Sequence, residues 1–207
     1  MISTKERSGV RENLELAEQE AKRLFKSVEE LGLIVPGKTE RQLNDEVVKL
    51  AQELFGIEEF WHKKIVRAGV NTIQPYSGNP PDLVIQDDDI VILDFGPVYK
   101  NWEADLGRTY VIGNDLVKIK LQNDIELAWE IARDWYVEQA SLTGATFFRY
   151  VTELAERFGY EYGGEIAGHI VGPFPHEQLE AGNLGLDIHP ENHQNMFLTD
   201  PDGNRRH

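Results

Sequence analysis

Residues 87–113, DDDIVILDFGPVYKNWEADLGRTYVIG, decide how this chain is read. Four apolar residues, Ile90 to Leu93, run straight into Asp94, and Asp105 follows after ten intervening residues, just past Trp102. A short apolar run bounded in this way reads as a buried strand. A carboxylate closing a buried strand is costly to desolvate unless it is paired or bound to a cation. Two such carboxylates, about one β-hairpin apart, can converge on one hard or borderline metal ion. Taken alone, the same spacing also describes a surface hairpin with acidic tips.

Farther along, AGHIVGPFPHEQ (167–178) sets His169 and His176 seven residues apart, flanked by Gly168 and Gly172. The order Asp94, Asp105, Gly-His-x-x-Gly, His176 resembles the methionine aminopeptidase, aminopeptidase P and prolidase family of metallopeptidases, over roughly residues 8 to 180. Each motif is common; their order and spacing together are not. Arg108-Thr109 in ADLGRTY is similar to the Asp-x-x-Arg-Thr of the proline-specific branch; the alternative is an ordinary strand surface with a salt bridge, and Arg108 is read as structural. The resemblance implies an α+β, pita-bread fold of two similar α-α-β halves around a curved, mostly antiparallel sheet. By the same resemblance, Asp94, Asp105 and His169 match metal ligands, Asp105 bridging two ions. His176 matches a histidine that contacts the substrate amide and stabilises charge at the scissile carbonyl. The donor chemistry agrees, since carboxylates plus imidazole suit manganese, iron, cobalt or zinc.

Two departures from that pattern stand out. The family carries a substrate-binding histidine eighteen residues before its first aspartate; here the position is Tyr76, in NTIQPYSGNPP. Tyrosine can donate a hydrogen bond to substrate, but it is no imidazole acid or base near neutral pH. The family also completes its site with two glutamates beyond the second histidine. The tail to His207 offers Glu191 in HPENH, which is not set in an apolar strand and is not read as a ligand. The expectation is therefore one pita-bread domain over residues 1–207 that lacks its C-terminal strands, with DPDGN (200–204) as a turn leading into a strand not present.

Periodicity supplies the elements. Leu14, Ala17, Ala21, Leu24, Phe25, Val28 and Leu31 predict a helix over 7–32. Thr39-Glu40-Arg41-Gln42 reads as a capping box opening a second helix that ends near Gly56. Short strands are expected at 63–69, 82–85 and 90–95, with a return strand over about 103–112. Helices follow over about 116–141 and 146–158, then glycine-rich strand and loop from 159. An internal echo pairs Gly37, Thr39, Leu50, Ala51, Phe55 and Gly56 with Gly144, Thr146, Leu154, Ala155, Phe158 and Gly159. It fits a duplicated α-α-β unit, the alternative being two helices that share ordinary start and stop signals by coincidence. Trp61, Trp102, Trp129 and Trp135 read as core or interface.

Composition bounds the function. Thirty-six acidic against 21 basic residues give a formal charge of −15, which argues against nucleic acid and anionic lipid as partners. With no cysteine, disulfides and thiolate metal sites are excluded. No run reaches transmembrane length, so no membrane partner is expected and the cytoplasm is the expected location. Asp-Phe-Gly at 94–96 lacks the other motifs of a kinase. His189 and His193 flank Pro190, which argues against a zinc-binding helix. The expected function is a metal-dependent aminopeptidase that hydrolyses an N-terminal peptide bond, Xaa-Pro being the candidate. A water activated by two divalent ions (Mn, Co, Fe or Zn) would act on a peptide with a free N-terminus. A homodimer is a candidate assembly, through the tryptophan-bearing third helix. The alternative is a catalytically inactive pita-bread module that binds a peptide or protein partner, the reading Tyr76 favours.

Overall fold

The computed structural model describes residues 4–175, 184–185, 187–199 and 205–206. The chain divides into two compact units, Met1–Ile119 with Val171–Glu177, and Lys120–Ile170 with Gln178–His207. His176 lies outside the described residues.

The first unit opens on α1 (Thr4–Glu30). Ala17, Ala21, Leu24, Phe25 and Val28 form one buried stripe along it, as helical spacing requires. The helix stops two residues short of expectation, and Leu31 stands past its end, exposed. In α2 (Glu40–Phe55), Thr39 Oγ1 accepts the Gln42 N–H at 3.1 Å while Gln42 Oε1 accepts the Thr39 N–H at 2.8 Å. This is the expected capping box. Gly56, at φ 63°, closes the helix in the left-handed conformation that glycine adopts without strain.

The sheet of this unit places β2 (Ile90–Phe95) between β1 (Ile65–Ala68) and β5 (Leu106–Val111), both antiparallel to it. Val91, Leu93 and Phe95 are buried in the same core as α1 and α2, and the Phe95 ring meets Phe25 edge-on at 6.3 Å. Strand alternation sends Ile90, Ile92 and Asp94 to the other, partly exposed face. Asp94 therefore ends the open row of the central strand, opposite Ile65 on one side and Gly107 on the other.

Two expected strands are corrected. Residues 82–85 make a single bridge, Thr39 to Val84, instead of a strand. Their main-chain groups are taken by the entry to α2: Ile85 N–H donates to Lys38 O, Gly37 N–H to Ile85 O and Glu40 N–H to Leu83 O. The return strand over 103–112 is broken in two. β4 (Trp102–Glu103) pairs with β3 (Val98–Tyr99) across a tight turn with Lys100 and Asn101 at φ 49° and 65°, and only β5 rejoins β2. Asp105 sits in the break.

α3 (Leu116–Glu138) crosses from the first unit into the second, and α4 (Gly144–Phe158) follows. The second core is smaller and aromatic: Trp135 stacks on Tyr150 at 3.9 Å, with Phe147, Leu154 and Phe197 buried around it. The cap of α4 is Thr143, whose Oγ1 accepts the Thr146 N–H at 3.1 Å. The internal echo therefore aligns Thr143, not Thr146, with Thr39. Thr143 then stands as far before Leu154 as Thr39 does before Leu50. β6 (Leu198–Thr199) and β7 (Arg205–Arg206) pair antiparallel on either side of residues 200–204. A two-residue strand thus stands after residues 200–204, where no strand was expected; the expected turn itself lies outside the described residues. Among the described residues, no helix is long and apolar enough to cross a membrane.

Candidate metal centre

Asp94 and Asp105 arrive from opposite sides of the β3–β4 turn, one at the end of β2 and the other just before β5. A third side chain that sequence spacing does not reveal joins them. His62 Nε2 stands 3.4 Å from Asp105 Oδ1 and 3.8 Å from Asp94 Oδ1. One donor atom from each of the three residues falls within 4.8 Å of the others.

Backbone pairing brings His62 there. Trp61 N–H donates to Gly96 O and Val98 N–H to Glu59 O, with a bridge between Phe60 and Pro97, so residues 59–61 run antiparallel to 96–98. Trp61 Nε1 donates to Ala104 O at 2.9 Å. Trp61 thus pins both stretches that carry the aspartates, bonding two residues after Asp94 and one residue before Asp105. Gly96 permits the approach, since a Cβ there would lie 2.2 Å from His62 Cδ2 and 2.4 Å from Trp61 Nε1. The signals in the sequence are Gly96 directly after the strand and a histidine in the aromatic segment EEFWHKK.

The electrostatics follow from the geometry. The His62 side chain is only 8% exposed, against 36% for Asp94 and 25% for Asp105. Burial pulls its pKa down more strongly than any other single influence. Asp105, the Lys63 carbonyl and Asp94 together outweigh burial, so the ring holds a proton more tightly than an ordinary histidine. Its Nε2 is buried and has no hydrogen-bond partner, and its nearest carboxylate oxygen, Asp105 Oδ1, stands at ion-pair distance. Two carboxylates and an imidazole are a donor set for a borderline divalent ion, and a cation would satisfy that buried nitrogen. The residues present fit a metal.

The other expected residues are placed as follows. Tyr76 is 54% exposed, its ring 6.2 Å from that of His62, and its hydroxyl accepts the Lys63 N–H at 3.0 Å. The loop bearing it is held through its carbonyls, by Lys63 Nζ at Gly78 O (2.6 Å) and by Arg67 at Gln74 O (2.6 Å) and Gly78 O (2.8 Å). His169 is half-buried in the second unit, bridged to Asp187, with Nδ1 3.1 Å from Ile170 O. In the first unit, Gly172 N–H donates to the buried Glu103 carboxylate at 3.0 Å, and Glu103 N–H donates back to Gly172 O. Arg108 is exposed and donates to Gly107 O, a structural role.

Residues 11–199 match the model of metallopeptidase family M24. The chain belongs to that family. It is 30% identical over 147 residues to an Xaa-Pro dipeptidase of Pyrococcus horikoshii, covering 70% of this chain and 40% of the relative. The Xaa-Pro dipeptidase of Pyrococcus furiosus is 29% identical over 181 residues, 86% of this chain and 49% of the other. In structure the chain is similar to an X-Pro aminopeptidase from Thermotoga maritima, with a TM-score of 0.71 and 26% identity over 91% of this chain and 50% of that one. The M24 chain therefore lies nearer the Xaa-Pro branch, and its fold is the expected α+β, pita-bread class. It spans half or less of the length of these relatives.

Proposed function

We propose that this protein is a metal-dependent peptidase that removes the N-terminal residue from peptides, acting on Xaa-Pro bonds, through a single pita-bread domain. The observation that carries the reading is the convergence of Asp94 and Asp105 beside a buried, unsatisfied imidazole nitrogen in an M24 chain. The Xaa-Pro preference is supported by the three relatives described above, each named for that bond. Asp94 and Asp105 would hold two divalent ions of the Mn, Fe, Co or Zn class, Asp105 reaching both. His169 would serve as a further imidazole ligand, on the strength of its Gly-His-x-x-Gly motif and of an Nδ1 that donates to a carbonyl and so orients the ring. Ions bound there supply Lewis acidity, making a water nucleophilic near neutral pH and polarising the scissile carbonyl. His176 is assigned to the substrate amide and the oxyanion, and Tyr76 to hydrogen bonding with substrate at the exposed lip of the site.

The test is release of the first residue from an Xaa-Pro dipeptide by protein loaded with Mn²⁺, compared with Asp105→Asn. A neutral amide cannot bridge two cations, so the variant should lose all detectable hydrolysis. Full activity in Asp105→Asn sinks the reading. A second reading, a binding module without catalysis, is favoured by Tyr76 at the family's histidine position. It is chosen if wild type cleaves nothing while Asp105→Asn still binds the same peptide.

A further inference from the structure

The family's ligand set does not include a histidine ahead of the sheet, yet here one is aimed between both aspartates. We propose that His62 is itself a ligand of the divalent ion held by Asp94 and Asp105. The proposal rests on the metal-dependent reading above and deepens it.

Three observations carry it. The first is spacing. Nitrogen and oxygen donors bind such ions at about 2.0–2.2 Å, so neighbouring donors around one ion stand about 3–4 Å apart. His62 Nε2 is 3.4 and 3.8 Å from the two carboxylate oxygens, the separation that shared coordination requires. The second is the tautomer. His62 Nδ1 lies 2.8 Å from the Lys63 carbonyl, and a carbonyl only accepts, so Nδ1 carries the hydrogen. Nε2 is then the atom that faces the two anionic oxygens, where either a proton or a bound cation relieves the repulsion, so a metal ion would take the place of that proton. Donation from the far nitrogen to a carbonyl is also how a ligating histidine is usually oriented. The third is construction. The Nε2 atom is buried without a hydrogen-bond partner, and the ring is wedged between Trp61, at 4.6 Å, and the bare Cα of Gly96. Trp61 is bonded at Gly96 and Ala104, so the imidazole and both carboxylates are fixed by one set of main-chain contacts.

An imidazole beside two carboxylates shifts preference away from Mg²⁺ and Ca²⁺ toward Mn²⁺, Fe²⁺, Co²⁺ or Zn²⁺. It also supplies a donor near the position left by the family's histidine, where Tyr76 instead buttresses the adjoining Lys63 N–H.

The experiment is pulsed EPR of the protein with less than one equivalent of Mn²⁺, reading imidazole ¹⁴N coupling in wild type, His169→Gln, His62→Gln and the double variant. The expected result is nitrogen coupling that survives His169→Gln and vanishes in the double variant. In His62→Gln, Mn²⁺ affinity should fall at least about tenfold, since even partners behind the ligands cost that much. Coupling that vanishes in His169→Gln alone, or persists in the double variant, overturns the proposal, as does the absence of Mn²⁺ binding. The His169→Gln measurement leaves residue 62 untouched and so does not depend on a His62 variant folding. Nitrogen coupling through His62 in a protein that cleaves no Xaa-Pro peptide would sink the peptidase reading and spare this one. An active peptidase whose coupling comes only from His169 does the reverse.

Discussion

α2 and α4 begin alike and then diverge at one residue. Each is capped by a threonine and closed by a left-handed glycine, and each carries Leu-Ala at the same distance from its cap. Immediately after the cap, α2 has Glu40 and α4 has Gly144. Glu40 is buried, and its carboxylate accepts from Ala68 N–H at 2.6 Å, from Asn71 Nδ2 at 2.9 and 3.0 Å and from Leu83 N–H at 3.3 Å. A side chain there ties the helix to the end of β1 and to the 81–85 segment. Gly144 achieves the same end by having no side chain. A Cβ at that position would lie 2.6 Å from Asp187 O and 2.8 Å from Asn192 Nδ2, and Ala145 N–H donates to Asn192 O at 2.7 Å. One unit fastens its second helix through a carboxylate, the other through direct backbone contact. The difference teaches that two segments with the same start and stop signals can need opposite residues at the first helical position, because what packs onto them differs.

The carboxylate linkage should be the costlier to remove. Glu40→Ala leaves two main-chain N–H groups without this acceptor and the buried Asn71 amide with Pro81 O alone, a loss of about 4 kcal/mol. Urea unfolding measures it, and a loss under about 1 kcal/mol would mean that water replaces the carboxylate and that the contrast is empty. Gly144→Ala should cost less, about 2 kcal/mol, because the 187–192 segment must move to admit one methyl. A neutral or stabilising Gly144→Ala would show that close backbone contact is not what distinguishes α4.

This contrast also marks how far the sequence was legible. The four helices were, because caps and apolar spacing are local; even the misplaced echo cap, Thr146 for Thr143, left α4 in its proper place. Asp94 and Asp105 were legible because each is tied to a strand edge. The segment 82–85 was misread as a strand, since its hydrogen bonds go to the entry of α2 and to the Glu40 carboxylate, partners distant in the sequence. His62 was missed for the same reason. Its place depends on residues 59–61 pairing with 96–98, and no spacing within EEFWHKK announces that. Only Gly96, with no room for a methyl, hinted at a side chain pressed against the strand end.

The two units also share a device at smaller scale, a tyrosine hydroxyl bonded to a helix carboxylate, and it should fail at opposite ends of the pH range. In the first unit Tyr110 donates to Glu29 at 3.0 Å. Burial, followed by the charge of Glu29, raises the Tyr110 pKa well above its usual value. A group whose pKa is raised on folding contributes stability that is complete below its unfolded value, about 10, and declines as pH rises beyond it. In the second unit Tyr160 donates to Asp124 at 2.8 Å, and Lys120 also bonds that carboxylate. The Lys120 bond, then the tyrosine bond, hold the Asp124 pKa below the ordinary carboxylate range. Its contribution is therefore complete above about pH 4 and is lost as pH falls through the lowered value. Stability measured against pH should show wild type losing its advantage over Tyr110→Phe only in alkali, and over Asp124→Asn only in acid. Each pair rests on one tyrosine hydrogen bond, and the Tyr110–Glu29 bond is exposed, so the differences should be smaller than those at Glu40 or Gly144. Advantages that fade at the same end of the scale would mean that the carboxylates, not the positions of the two tyrosines, set the response, and the likeness between the units would then stop at their helix caps.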